Sequence, residues 1–207
     1  MTAFVVGLTG PMGAGKSTVA AMLRELGAKV LDADAIVHDE QLRGTVGYSA
    51  IIQTFGTKVL GEDKEIDRGK LATEVFGDPG KLRRLEQILH PRVIARVLEA
   101  RSMLPADAVL VVEAIKLLEG ELRKACDQIW VVVAPRETMI ERLASRGMRA
   151  REAELRLAQQ LSEEQFRAAA DAVIVNDGDR ERTRERVRDA WLELGRARAR
   201  SSPGSGT

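Results

Sequence analysis

The chain has 207 residues, is 44% hydrophobic and sets 32 Lys and Arg against 31 Asp and Glu, for a formal charge of +1. That length accommodates one α/β domain with embellishments; the balanced charge argues against a polyanion-binding surface and so against a nucleic-acid partner; the single cysteine, Cys126, excludes an internal disulfide. No apolar run approaches the ~20 residues of a membrane span, and the short N-terminal apolar run has no basic leader, so a cytoplasmic protein with no membrane partner is expected.

The first strand is expected over Phe4–Thr9, and the chain then runs Gly10-Pro11-Met12-Gly13-Ala14-Gly15-Lys16-Ser17-Thr18. This fits the phosphate-binding loop pattern G-x-x-x-x-G-K-[ST] without a mismatch. Its flanks agree, because Val19, Met22, Leu23 and Leu26 come next at helical spacing. Glycines let backbone N–H groups turn onto phosphate oxygens where a side chain would block them, and a helix starting at the lysine adds its positive end. Residues 11–18 are therefore the expected ATP contacts, with Lys16 reaching the β- and γ-phosphates and the Ser17 hydroxyl ligating Mg²⁺.

A second strand, Lys29–Asp32, ends in Asp32-Ala33-Asp34. Residues i and i+2 on a strand share a face, so both carboxylates are expected to point the same way at the ligand-binding edge of the sheet. Asp34 is the candidate base for an attacking hydroxyl, or a water-mediated metal contact; the competing reading makes it the N-cap of a helix beginning at Ala35. A long helical stretch comes next, with helices expected over Val46–Phe55, Asp67–Phe76 and Lys81–Met103 and a kink or restart near His90 imposed by Pro91. An all-helical insert of this kind is a natural holder for an acceptor substrate.

The third strand, Ala108–Glu113, closes on a carboxylate that either supports Mg²⁺ through water or caps the adjoining segment. Cys126 has no metal-ligand spacing around it and reads as a buried or half-buried structural thiol. The fourth strand is expected over Ile129–Ala134, then a helix over Pro135–Arg146, an Arg-rich turn to Arg151, and one long helix to about Ala170 that forms a mobile lid. Arg142 and Arg146 are four apart, so they share a helix face, and arginine's planar fork suits phosphate oxygens. A fifth strand, Val173–Val175, leads to a solvated helix over Arg180–Arg200 packed through Val187, Trp191 and Leu194, and then to a polar tail expected to be disordered.

Strands alternating with helices give an α/β class with a five-stranded, mostly parallel sheet. The N-K-x-D segment that reads guanine in switch GTPases is absent. A small-molecule kinase needs a base near the acceptor and arginines over the transferred group, and this chain has candidates for both. Two alternatives stand beside it: a nucleoside or nucleotide kinase on the same scaffold, and a non-catalytic ATP-binding regulator.

The segments in order resemble the dephospho-CoA kinase family: Gly7 to Thr18, Leu26-Gly27, Asp32-Ala33-Asp34, Phe55-Gly56, Ile66-Asp67-Arg68, Val75-Phe76, Leu85-Glu86, His90-Pro91, Arg142, Arg146, Gln160 and Ala170 to Asn176. The resemblance implies a phosphate-loop kinase fold with a core over 1–40, 105–135 and 170–200, a helical acceptor-binding insert over about 41–104, a helical lid over about 136–169 and a disordered tail over 201–207. It implies phosphorylation of the ribose 3′-hydroxyl of dephospho-CoA by ATP-Mg²⁺, the last step of coenzyme A synthesis, by a monomer or weak homo-oligomer. Asp34 then stands as base, with Lys16 and Arg142 catalytic, Arg146 on ATP, Asp32, Asp67, Arg68 and His90 on the acceptor, and Ser17 and Glu113 near the metal. One segment departs, with Ile115 for its proline and Lys116 for a leucine, and so does one further position. The family's D-x-P-L-L-F-E is here Glu113-Ala114-Ile115-Lys116-Leu117-Leu118-Glu119, so that a charge at Lys116 either contacts a phosphate of one of the nucleotides or faces solvent. Lys64 stands where a glycine is common.

Overall fold

A computed structural model describes residues 2–201. Five strands form one sheet: β1 (Phe4–Thr9), β2 (Lys29–Asp32), β3 (Val109–Glu113), β4 (Gln128–Val133) and β5 (Ala172–Val175), in the order β2-β3-β1-β4-β5. Every pairing is parallel. The five expected strands are present to within a residue or so: β1, β3 and β4 are short Val/Ile-rich runs buried on both faces, the signature of a parallel sheet, while the edge strands β2 and β5 are only partly buried.

Alternate side chains enter two cores. Val6, Leu8, Val109, Val111, Trp130 and Val132 pack with α1 (Lys16–Glu25) and with Val187 and Leu194 of α9 (Arg180–Ser201). Val5, Leu110, Val112, Ile129, Val131 and Val133 face the other way, against Ile36 of α2 (Ala33–Asp39) and Val93 and Val97 of α5 (Pro79–Met103). A third, smaller cluster is Ile51 and Phe55 of α3 (Val46–Phe55), Val59, Leu71 of α4 (Arg68–Val75) and Leu89 of α5, so the helical stretch between β2 and β3 has a core of its own.

Three expectations about helices change. α5 continues through Pro91 to Met103 with no restart; two faces of apolar contacts hold it where propensity alone disfavours it. The segment after β4 is not one long helix but α6 (Arg136–Ala144), α7 (Ala150–Ala158) and α8 (Glu163–Ala168). Ser162 divides the last two: its hydroxyl accepts from Gln165 N while Gln165 Oε1 accepts from Ser162 N, a reciprocal capping box that starts a new helix. α6 also stops at Ala144, with Gly147 at φ 89 beyond it, so Arg146 lies in the turn rather than on the helix face of Arg142. α9 extends to Ser201, and residues 202–207 of the expected tail lie outside the described residues.

Cys126 is half-buried, and burial pushes its thiol up to about 11, as expected of a packing thiol. Among the described residues, no helix is long and apolar enough to cross a membrane.

Candidate active site

The connection leaving β1 runs to β2 on one side of the sheet and the connection leaving β3 runs to β4 on the other, so the topology switches between β1 and β3, and ligands in open α/β sheets bind beyond the strand ends at such a point. Three of the expected residues leave the sheet there. Residues 10–15 follow β1, Asp32 ends β2, and Glu113 ends β3 in register with both Asp32 and Leu8.

The loop after β1 enters α1 through Gly15 at φ 93, with no side chain capping the helix. A Cβ at Gly15 would run into the Asn176 amide nitrogen and one at Gly13 would lie 2.7 Å from the Met139 carbonyl, so the loop is seated too closely for any other residue at either position. The Lys16 ammonium is buried and donates to the Gly10 and Pro11 carbonyls at 2.9 and 3.1 Å. Burial lowers its pKa, Glu113 and Asp34 oppose that, and the Arg146 guanidinium adds to it. The lysine thus feels both carboxylates and one arginine. Ser17 Oγ donates to Glu113 Oε1 at 2.9 Å.

The second-strand acids divide their roles differently from the expectation. β2 ends at Asp32, and its carboxylate, not that of Asp34, is the N-cap: Asp32 Oδ1 accepts from Asp34 N at 2.9 Å and Ala35 N at 3.2 Å. The helix begins at Ala33, so the shared-strand-face argument fails, because Asp34 sits in the first turn of α2. Its charge still reaches the others. Burial raises the Asp34 pKa, Asp32 raises it further, and Lys16 opposes both. Glu113 is raised likewise, mainly by burial, against the hydrogen bond from Ser17.

Two cavities flank this centre. One, of about 220 Å³, is lined by Asp34, Glu86, His90, Lys116, Glu119 and Leu122 among others, and lies between α2, α5 and the loop after β3. The other is lined by Gly15, Ser17, Thr18, Arg142, Arg146, Asn176 and Arg180. His90 and Asp34 therefore share the first, and the two arginines share the second. Arg142 is turned onto the loop itself, donating to the Gly13 and Ala14 carbonyls at 3.4 and 3.2 Å and to Asn176. Thr18 is exposed on the same side, and Pro11, Met12 and Ala14 form the loop tip and floor.

Asp67 and Arg68 do not join either cavity. Asp67 Oδ1 caps α4 through Gly69 N and Lys70 N at 2.9 and 3.0 Å, and Arg68 is exposed at the first position of that helix. Conversely, two contacts have no counterpart among the roles expected from the sequence. Asn176, buried at the end of β5, donates to the Ala14 carbonyl at 2.7 Å and accepts from the buried Thr183 hydroxyl at 3.1 Å. Gln160 Oε1, in the linker after α7, accepts from Met12 N at 2.9 Å. A polar residue closing an apolar strand was the available signal for Asn176; nothing local marks Gln160.

Hydroxyl and carboxylate oxygens are the donor set that Mg²⁺ takes, and Ser17, Glu113 and Asp34 supply them around the lysine. Among the described residues no three His, Cys, Asp or Glu side chains converge as a metal cage.

The family model for dephospho-CoA kinase matches residues 4–182. A dephospho-CoA kinase of Streptomyces avermitilis is 43% identical over 190 residues, 91% of this chain and 93% of its own, and one of Aquifex aeolicus is 42% identical over 191 residues, 92% and 97%. The crystal structure of TT1252 from Thermus thermophilus superposes with a TM-score of 0.83 at 33% identity, covering 94% of this chain and 98% of its own. With a matching model over most of its length and relatives well above 30% identity, the chain belongs to the dephospho-CoA kinase family.

Proposed function

We propose that the protein transfers the γ-phosphoryl group of ATP to the ribose 3′-hydroxyl of dephospho-CoA, giving CoA and ADP. The single observation that carries the site assignment is the position of Asp34, which lines the acceptor-side cavity and is close enough to Lys16 for each to shift the other's pKa. A carboxylate between a bound hydroxyl and a gripped triphosphate is the arrangement phosphoryl transfer requires.

The phosphates lie on the loop of residues 10–18, with Lys16 leaving its carbonyl partners to meet β- and γ-oxygens. Asp34 accepts the 3′-hydroxyl proton as that oxygen attacks the γ-phosphorus, the bond to the β,γ-bridging oxygen breaks, and ADP leaves. Mg²⁺, when bound, would supply positive charge against the phosphate oxygens; the Ser17 hydroxyl would hold it, with Glu113 through water. Of the two arginines, Arg146 is the one whose charge reaches Lys16, so it neutralises the phosphoryl group. Arg142, bonded to Gly13 and Ala14, braces the loop and flanks the nucleotide. The stretch over 41–104 serves as the acceptor-binding insert and that over 136–169 as the lid. Asp32 supports α2 beneath the base. Within the insert, Asp67 caps α4 and Arg68 is exposed at its first position, outside the acceptor-side cavity. An enzyme of this substrate class works in the cytoplasm, where ATP and thiols are abundant.

Purified protein with ATP, Mg²⁺ and a series of acceptors tests this directly by ADP release. Dephospho-CoA is expected to stimulate turnover far above adenosine, other nucleosides and no acceptor. Equal or greater stimulation by a nucleoside overturns the substrate assignment, and ATP binding with no stimulated turnover supports a regulator instead.

A further inference from the structure

The acceptor-side cavity is acidic apart from one lysine and one histidine. Asp34, Glu86, Glu119 and Glu121 line it together with Lys116 and His90. Dephospho-CoA, the acceptor on which this inference rests, brings two negative charges on the diphosphate between its adenosine and pantetheine halves. Lys124 pairs with Glu121 at 2.6 Å, and the remaining carboxylates repel such a group unless a cation meets it. Lys116 is exposed, projects from the short helical turn after β3, and makes only a long 3.9 Å ion pair with Glu86 of α5 across the cavity wall. It lines the cavity with Asp34 and is absent from the lining on the Arg142 side. Its charge is thereby assigned to the acceptor and not to ATP. We propose that Lys116 is a specificity residue of this chain that exchanges Glu86 for the acceptor's diphosphate on binding, so that affinity for a diphosphate-bearing acceptor rests on a side chain that the family's usual leucine cannot replace.

Lys116→Leu, Lys116→Arg and Glu86→Gln are compared by steady-state kinetics. Lys116→Leu is expected to raise KM for dephospho-CoA about fivefold, the size of one exposed charge pair, with kcat and KM for ATP retained, and to flatten the rise of that KM with salt. Lys116→Arg restores most of the loss, and Glu86→Gln, releasing the lysine, leaves KM unchanged or lower. With adenosine as acceptor, which has no diphosphate, Lys116→Leu and the parent give equal kcat/KM. If the parent turns over dephospho-CoA but Lys116→Leu has the same KM and salt dependence, or loses adenosine and dephospho-CoA alike, Lys116 does not bind the diphosphate. A parent inactive on dephospho-CoA overturns the proposed reaction itself, and the two failures are told apart by that control.

Discussion

Asp34 and Glu113 hold their protons more tightly than free carboxylates do. Both pKa values are raised, chiefly by burial, and Asp32 adds to each. A carboxylate whose folded pKa is raised contributes stability that is full below its unfolded pKa and is lost as pH rises through the folded value. At neutral pH the ionised Asp34 is therefore a net cost to folding. Asp34→Asn is expected to lower kcat by roughly 10²-fold, the usual worth of a positioned base, while ATP affinity stays within about twofold and Tm is unchanged or higher. Near-parental kcat would remove Asp34 from the chemistry. The same shift sets the acid limb of kcat/KM for dephospho-CoA above the ordinary aspartate value of 3.8. Asp32→Asn keeps a capping oxygen but removes the repulsion, so a pH profile of that variant should show the limb displaced toward lower pH; a limb that stays put contradicts the coupling. Residue types and spacing were enough to locate this acidic pair beside the loop. Which of the two carboxylates caps α2 was not legible, because either residue type can accept from the amides two and three positions on, as Asp32 does from Asp34 and Ala35, and only the end of β2 decides between them.

Among elements, the strands were legible and the helix ends less so. A five-residue Val/Ile run buried on both faces has few alternatives, whereas Gln159–Ser162 divides α7 from α8 through a pair of side-chain bonds in an otherwise helical composition. Lys64 shows the converse. Among the described residues it is the non-glycine residue with positive φ, 65, and it occupies the tight turn closed by Lys64 N to Gly61 O at 3.1 Å. Its conformation explains why glycine suits that position, and Lys64→Gly should stabilise the protein by about 1 kcal/mol in urea unfolding; a loss of stability would mean that the lysine side chain contributes more than its backbone costs. At the end of β5, Asn176 ties the loop to α9 through Ala14 and Thr183. Asn176→Ala removes one hydrogen bond each from the Ala14 carbonyl, which keeps Arg142, and from the Thr183 hydroxyl, which keeps the Asp179 carbonyl, and is expected to cost about 1 kcal/mol. It should also raise KM for ATP more than KM for the acceptor, which separates loop positioning from a merely structural part.

At the scale of the molecule, the parallel sheet gathers three strand ends at one edge, and the two cavities lie on either side of them. One is walled by α2 and α5, the other by α1, α6 and the end of β5. In the proposed reaction the nucleotide and the acceptor approach one another across the loop, with Asp34 lining the acceptor-side cavity and Lys16 buried in the loop. The parallel sheet, though not its strand order, was written in the alternation of strands and helices. The separate placement of Arg142 and Arg146 was not, since it depends on where α6 stops and on the fit of Arg142 against the loop carbonyls. A ternary crystal structure with dephospho-CoA, Mg²⁺ and a non-hydrolysable ATP analogue addresses the central assignment most directly. The account predicts the acceptor's 3′-oxygen within hydrogen-bond reach of the Asp34 carboxylate and in line with the γ-phosphorus, with the triphosphate on residues 10–18. An acceptor ribose seated elsewhere, or an Asp34 side chain directed away from it, would contradict that account.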